Sequence, residues 1–137
     1  MEFTPDQRAY LDRNLQGVLA TSRRDGSPQL STIHFSRLDD GIYVGASRSS
    51  AKWHNARCEP RVALLVGEGS RQLVVYGRAE RVEADPERFE RYREHRSNTA
   101  AKGSELGAPS DPAAFRALIE EGNRALLRIT PERVLGE

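Results

Sequence analysis

The chain has 137 residues, the size of one domain, and its 37% hydrophobic and 30% charged content is that of a soluble globular protein. Its 21 Lys and Arg nearly balance 20 Asp and Glu, for a formal net charge of +1, with no block of five like charges, which argues against general nucleic-acid binding. The longest apolar run, Val62 to Val66, is too short for a membrane span, and MEFTPDQRAY lacks the pattern of a leader, so a cytoplasmic protein with a single domain over residues 1–137 is expected.

Thr4-Pro5-Asp6-Gln7 reads as a helix start, with Thr4 as N-cap, Pro5 at the first helical position and Gln7 closing a capping box. That helix is expected to end near Leu15. Strands follow at about 16–23 and 28–37, joined at Asp25-Gly26, where glycine tolerates the positive φ of a hairpin turn. Leu38-Asp39-Asp40-Gly41 returns the chain into the apolar Ile42-Tyr43-Val44, and a small polar turn, Gly45 to Ser50, leads into a short helix over 50–58. Cys58, the only cysteine, excludes an internal disulfide, and its place in a short helix suits a buried thiol.

Arg61 to Gly67 is a near-continuous apolar run, which predicts a central barrel strand buried on both faces. Residues 71–83 form another strand, interrupted by Gly77, where a bulge or a close backbone approach is expected. Asp85-Pro86 opens a charged helix whose main apolar contacts are Phe89 and Tyr92. Ser97 to Ser110 has no apolar periodicity and reads as a long loop and candidate lid. Asp111-Pro112 starts a helix with Phe115, Leu118 and Ile119 on one face, ending near Gly122, and Ala125 to Thr130 is a closing strand stopped by Pro131. About six strands arriving mostly as hairpins, with three or four short helices, predict a mainly β fold, an antiparallel β-barrel with helical decoration. A domain this small, interrupted by helices, buries little core per residue and is expected to dimerise.

The stretch with the clearest chemistry is VGASRSSAKW, where a strand end passes through small polar residues into a helix beginning at Ser49 or Ser50. A helix N-terminus presents unpaired N–H groups and the positive end of a dipole, so it suits a phosphate, with Ser47, Ser49 and Ser50 adding donors and Arg48 and Lys52 adding charge. An ordinary N-cap and a solvated lysine would look the same. His34, His54 and His95 lie far apart and share no ligand spacing, so no metal is expected. The chain has no GxSxG, Walker or GxGxxG motif and no evident nucleophile. A catalytic side chain therefore stays unassigned, and a cofactor would carry any reaction.

Taken together, GVLATSRRDGSPQLSTIHF, DDGIYVGAS, SSAKWHNARCEPRVALLV and the closing TPERVLG resemble the pyridoxamine-phosphate-oxidase-like split-barrel flavoproteins, and most closely their deazaflavin-dependent branch. The resemblance implies a six-stranded antiparallel split β-barrel, paired as a homodimer with the cofactor in a groove at the interface. By position, Lys52 resembles the lysine that meets the cofactor phosphate, helped by Ser50 and the backbone at Ala51. Ser31, Thr32, Ile33 and His34 match the strand along the ring system, and Ala46 and Ser47 match the strand end beside the ribityl chain. Gln72 resembles a glutamine reaching the cofactor from the partner chain, and equally fits an exposed strand residue. His34 is a candidate proton donor or a barrel-wall histidine, and Trp53 is taken as packing.

In FMN-binding oxidases of this kind an arginine commonly precedes the lysine, whereas here Ala51 stands there. The implied function is a reductase using coenzyme F420, a deazaflavin, on a small organic acceptor. Arg48, Arg57, Arg61 and Lys102 are candidates to track that coenzyme's acidic tail. An FMN-dependent oxidoreductase and a non-catalytic flavin- or haem-binding protein remain the alternatives.

Overall fold

The alternation of inward and outward side chains along six strands sets the architecture. A computed structural model describes residues 1–83, 85–98, 112–120 and 123–136. The elements run α1 (Pro5–Arg13), β1 (Gln16–Ser22), β2 (Pro28–Leu38), β3 (Gly41–Ser47), α2 (Ala51–Cys58), β4 (Arg61–Glu68), β5 (Arg71–Val82), α3 (Pro86–Asn98), α4 (Pro112–Glu120) and β6 (Arg124–Gly136). The strands close into an antiparallel barrel in the order β1-β2-β3-β6-β5-β4. The last strand thus inserts between β3 and β5. No described helix is long and apolar enough to cross a membrane.

Local signals act as their chemistry dictates. The Gln7 N–H donates to Thr4 Oγ1 at 3.1 Å and the Thr4 N–H donates to Gln7 Oε1 at 2.9 Å, completing the capping box. Helix α1 stops at Arg13, short of Leu15, because Asn14 turns extended and its amide donates to the Tyr10 carbonyl at 2.7 Å. At the first hairpin Gly26 takes a φ of 88°, and the Asp25 carboxylate accepts the Ser27 N–H at 2.9 Å.

Two cores result. Inside the barrel Leu19, Ile33, Phe35, Leu64, Leu73 and Leu127 meet, and Trp53 of α2 joins them at 1% exposure with the Arg81 guanidinium 4.2 Å from its ring centroid. A buried ring of this size is worth about 3–5 kcal/mol against alanine. The second core lies outside the barrel wall, where Phe89, Tyr92 and Phe115 of α3 and α4 cover Tyr43 and Leu126. Phe89 and Phe115 meet edge to face at 6.4 Å.

Four expectations are corrected. Strand β4 is not buried on both faces: Val62, Leu64 and Val66 point into the core while Ala63 and Leu65 are half exposed, as a single-layer barrel wall requires. Cys58 is exposed, because the short α2 turns Trp53 and Ala56 inward. The closing strand does not stop at Thr130 but runs through Pro131 to Gly136. It can do so because the register shifts there, with Tyr76 opposite Arg133 and Gly77 opposite Pro131, so a residue without an N–H sits at a bulge. The candidate loop loses Ser97 and Asn98 to α3, while its residues 99–110, and the helix end near Gly122, lie outside the described residues.

Gly77 is needed for space: a Cβ there would lie 2.3 Å from the Thr130 carbonyl oxygen. Gly77→Ala is therefore expected to cost about 1–3 kcal/mol, read as a lower urea midpoint at unchanged slope. Gly26→Ala, with nothing within 4 Å of the added carbon, should cost less because only its positive φ opposes the change. Equal losses would show that close approach at the bulge is not what Gly77 provides.

Candidate functional site

Strands β2 and β3 pair only from Phe35 opposite Val44 to Leu38 opposite Gly41. Earlier in β2, residues 28–34 pair with β1 alone, and later in β3, residues 45–47 pair with β6 alone. The barrel wall is thus split between these two segments. Helix α2 starts just past the end of β3, so its N-terminus lies beside the mouth of the split.

Ser50 is the N-cap by backbone geometry, but its side chain makes no capping bond and instead donates to the Ser47 carbonyl at 2.7 Å. The first N–H groups of α2 therefore keep their donors free of a side-chain cap, and no acidic residue sits in the first turn. Ser47 and Ser49 share a hydrogen bond at 2.8 Å, and both accept from the Asn123 amide, at 2.7 and 2.8 Å. One hydroxyl proton serves that pair, which leaves the other uncommitted among the described residues. The Arg48 N–H donates to the Asn123 carbonyl at 2.7 Å, so the start of β6 straps the whole turn.

The expected site residues divide by the direction of their side chains. Thr32 and His34 face outward on β2, whereas Ile33 is 4% exposed and points into the core. Ser31 shares the inward parity of Ile33. Ala46 is likewise turned inward at 1% exposure, while Ser47 faces out. Ile33 and Ala46 can thus offer a ligand only their backbone. Lys52 stands in the first turn of α2 and Ala51 before it adds no charge. Gln72 is exposed on the outer face of β5, opposite Gly67 on β4 and distant from the split along the sheet order. The single chain does not bring it to Lys52.

Besides Asn123, two residues that sequence reasoning passed over complete the site. Arg124 opens β6 in register with Ser47, and a Cβ on Gly45 would lie 3.0 Å from its guanidinium and 3.1 Å from the Tyr92 hydroxyl. Gly45 thus makes room for both groups. Arg96, fully buried, donates to the Phe35 carbonyl and to the Tyr92 hydroxyl, each at 3.2 Å, at the point where β2 and β3 part. Of the cations expected to track an acidic tail, Arg48 instead donates to the Ile119 carbonyl at 2.8 Å and Arg61 pairs with Glu59. Arg57 sits in the last turn of α2, and Lys102 lies outside the described residues.

The electrostatics agree with an anion site. Burial, then the like charge of Arg124, lowers the Lys52 pKa from its ordinary value. Burial, then Arg96 and Arg124, lowers that of His34. The Gln16 side-chain amide lies 3.0 Å from His34 Nε2, within hydrogen-bonding distance of the ring. His34 is therefore an uncharged hydrogen-bonding group at neutral pH rather than an imidazolium acid.

With its folded pKa depressed below the ordinary 6.5, His34 binds a proton less readily folded than unfolded. Its contribution is complete above the unfolded value and is lost as pH falls from there through the folded one. A histidine-resolved NMR titration should place the His34 midpoint below 6.5, and a midpoint at or above it would contradict the cationic surroundings described.

Known proteins share this fold. A conserved hypothetical protein from Mycobacterium tuberculosis has a similar structure, with a TM-score of 0.76 and 25% identity over 98% of this chain and 84% of its own. The haem storage protein of Vibrio cholerae shares the fold at a TM-score of 0.75 and 18% identity, over 99% of this chain and 95% of that one. An F420 reductase does so at 0.65 and 22%, over 95% and 96% respectively. The pyridoxamine 5'-phosphate oxidase family profile matches residues 3–136, essentially the whole chain, which therefore belongs to that family.

Proposed function

We propose that this protein is an oxidoreductase that seats the phosphoryl group of a tricyclic flavin-type cofactor at the N-terminus of α2 and acts on a small organic molecule. The observation that carries this reading is the uncapped first turn of α2, with Lys52 in it, beside the split between β2 and β3. The residues fit such a group: free N–H donors, a hydroxyl proton left over at Ser47 or Ser49, and small side chains at Gly45 and Ala51. When bound, the cofactor supplies the hydride chemistry. The chain's own part is to hold the phosphoryl end, to present the β2 segment from Ser31 to His34 along the ring, and to keep His34 neutral as a hydrogen-bonding partner.

The first cofactor is F420, supported by the resemblance of the sequence to the deazaflavin-dependent branch and by the absence of an arginine at Ala51. FMN is the second, supported by Arg124, whose charge reaches Lys52 from another strand. Fluorescence titration of the purified protein with both cofactors at two salt concentrations decides between them. Tighter F420 binding that weakens with salt is expected, and tighter FMN binding at each salt would replace F420 by FMN.

The working unit is a homodimer. Leu135, Val74, Leu65 and Val18 are paired neighbours on four adjacent strands and form an outward apolar stripe, with Leu30 64% and Leu135 47% exposed. Gln72 lies along this face, where a second copy packed on the stripe would carry its own Gln72 toward its neighbour's split. Light scattering at micromolar concentration should give twice the chain mass, and a monomer would remove Gln72 from the site.

Lys52→Ala should weaken cofactor binding about ten- to a hundredfold, the worth of a charge-assisted hydrogen bond of about 1.5–3 kcal/mol, with thermal stability nearly unchanged. Binding as tight as that of the parent would overturn the assignment of the phosphate site. Tight binding without reduction of any acceptor would leave a carrier rather than an enzyme.

A further inference from the structure

Ala51 leaves the anion site one cation short of the arginine-lysine pair that the resemblance leads one to expect, and a replacement has to come from elsewhere in the chain. Arg48, the neighbour in sequence, is committed to the Ile119 carbonyl. Arg96 is held by the Phe35 carbonyl and the Tyr92 hydroxyl. Arg57 lies in the last turn of α2, away from its N-terminus. Arg124 differs from these: among the described residues neither its guanidinium nor the Lys52 ammonium makes a hydrogen bond or an ion pair.

Its position is built rather than incidental. Arg124 is in register with Ser47, its guanidinium lies over the bare face of Gly45, and the preceding residue, Asn123, clamps the hydroxyls of Ser47 and Ser49 through its amide. The charge of Arg124 acts on both Lys52 and His34, so it is near both groups. Two neighbouring cations without a counter-ion repel each other, and an anion between them removes that cost.

We infer that Arg124 is the second cation of the cofactor site, its guanidinium taking the cofactor's phosphoryl group jointly with the Lys52 ammonium and so replacing the arginine absent at Ala51. This rests on the phosphate site proposed above and assigns it a residue 72 positions away from Lys52 in the sequence. A planar guanidinium offers paired donors to phosphate oxygens that a lysine cannot match, so Arg124 also fixes the orientation of the group.

The test compares each phosphorylated cofactor with its phosphate-free counterpart: FMN with riboflavin, and F420 with its deazaflavin chromophore lacking the phosphoryl tail. Fluorescence titrations use the full chain as wild type, Arg124→Gln, Arg124→Lys, Lys52→Ala and the Lys52→Ala/Arg124→Gln double variant. Arg124→Gln should weaken the phosphorylated ligand about tenfold or more and leave the phosphate-free one unchanged, with Arg124→Lys recovering part of the loss. Because both cations meet one group, the double variant should lose less or more than the product of the single losses.

If Lys52→Ala weakens binding while Arg124→Gln does not, the inference about Arg124 is wrong and the phosphate site stands. An equal loss for riboflavin and FMN would also overturn it, since Arg124 would then be shaping the fold or the ring site. No effect from either single variant would remove the phosphate site itself. Should Arg124→Gln fail to fold, Arg124→Lys takes its place, because it keeps the charge but loses the paired donors, so a smaller loss confined to the phosphorylated ligands is expected and unchanged binding overturns the inference.

Discussion

Everything at the candidate site depends on the two strands that cease to pair beyond Phe35 and Val44. Up to that point β2 and β3 form an ordinary hairpin. Past it each keeps only its other neighbour, so a closed barrel acquires an opening without exposing its core, because Ile33 and Ala46 still point inward on either side. Helix α2 makes the arrangement stable. Its Trp53 enters the core, and its first turn is thereby presented where the wall is missing.

Three cations and a neutral histidine are then gathered there from four separate elements. Lys52 arrives on α2, Arg124 on β6 and Arg96 on α3, and the outward face of β2 supplies His34. The groups differ in how far they are committed. Arg96 is hydrogen-bonded and buried, which suits a fixed wall, while Lys52 and Arg124 make no hydrogen bond among the described residues, which suits groups held for an incoming anion. The network on the other side of α3, where Asp40 accepts from Tyr43 and Arg91 while Arg128 lies beside it and pairs with Glu80, sets each cation against a carboxylate and serves to dock the helix on the barrel.

Much of the local structure was legible in the sequence, because caps and turns are decided by residues three or four positions apart. Thr4 with Gln7, and Asp25 with Gly26, needed no tertiary information. The start of α2 at Ser50, with Lys52 in its first turn, was legible for the same reason. What escaped was set by pairing between distant strands. Ile33 and Ala46 belong to matching segments, yet strand parity turns their side chains into the core, a fact that depends on which face of β2 and β3 the barrel closes upon. Arg124 and Asn123 looked like the unremarkable lead-in to a last strand. Only the pairing of β6 with β3 makes them neighbours of Ser47. Pro131 misled for a related reason, since a proline ends a strand only where its N–H is wanted, and the shifted register opposite Gly77 does not want it.

The insertion of β6 between β3 and β5 also governs how the molecule comes into being. During synthesis β1 to β5 leave the ribosome first, and until residues 124–136 follow, β3 and β5 are both unpaired edges and the sheet is an open, aggregation-prone ribbon. The ladders that close it join residues as far apart in sequence as Ile42 and Ile129, so closure is a late, non-local event. The same residues bring Asn123 and Arg124 to the turn ahead of α2. A nascent chain therefore carries neither a sealed wall nor a strapped turn ahead of α2, and it gains both from the same segment.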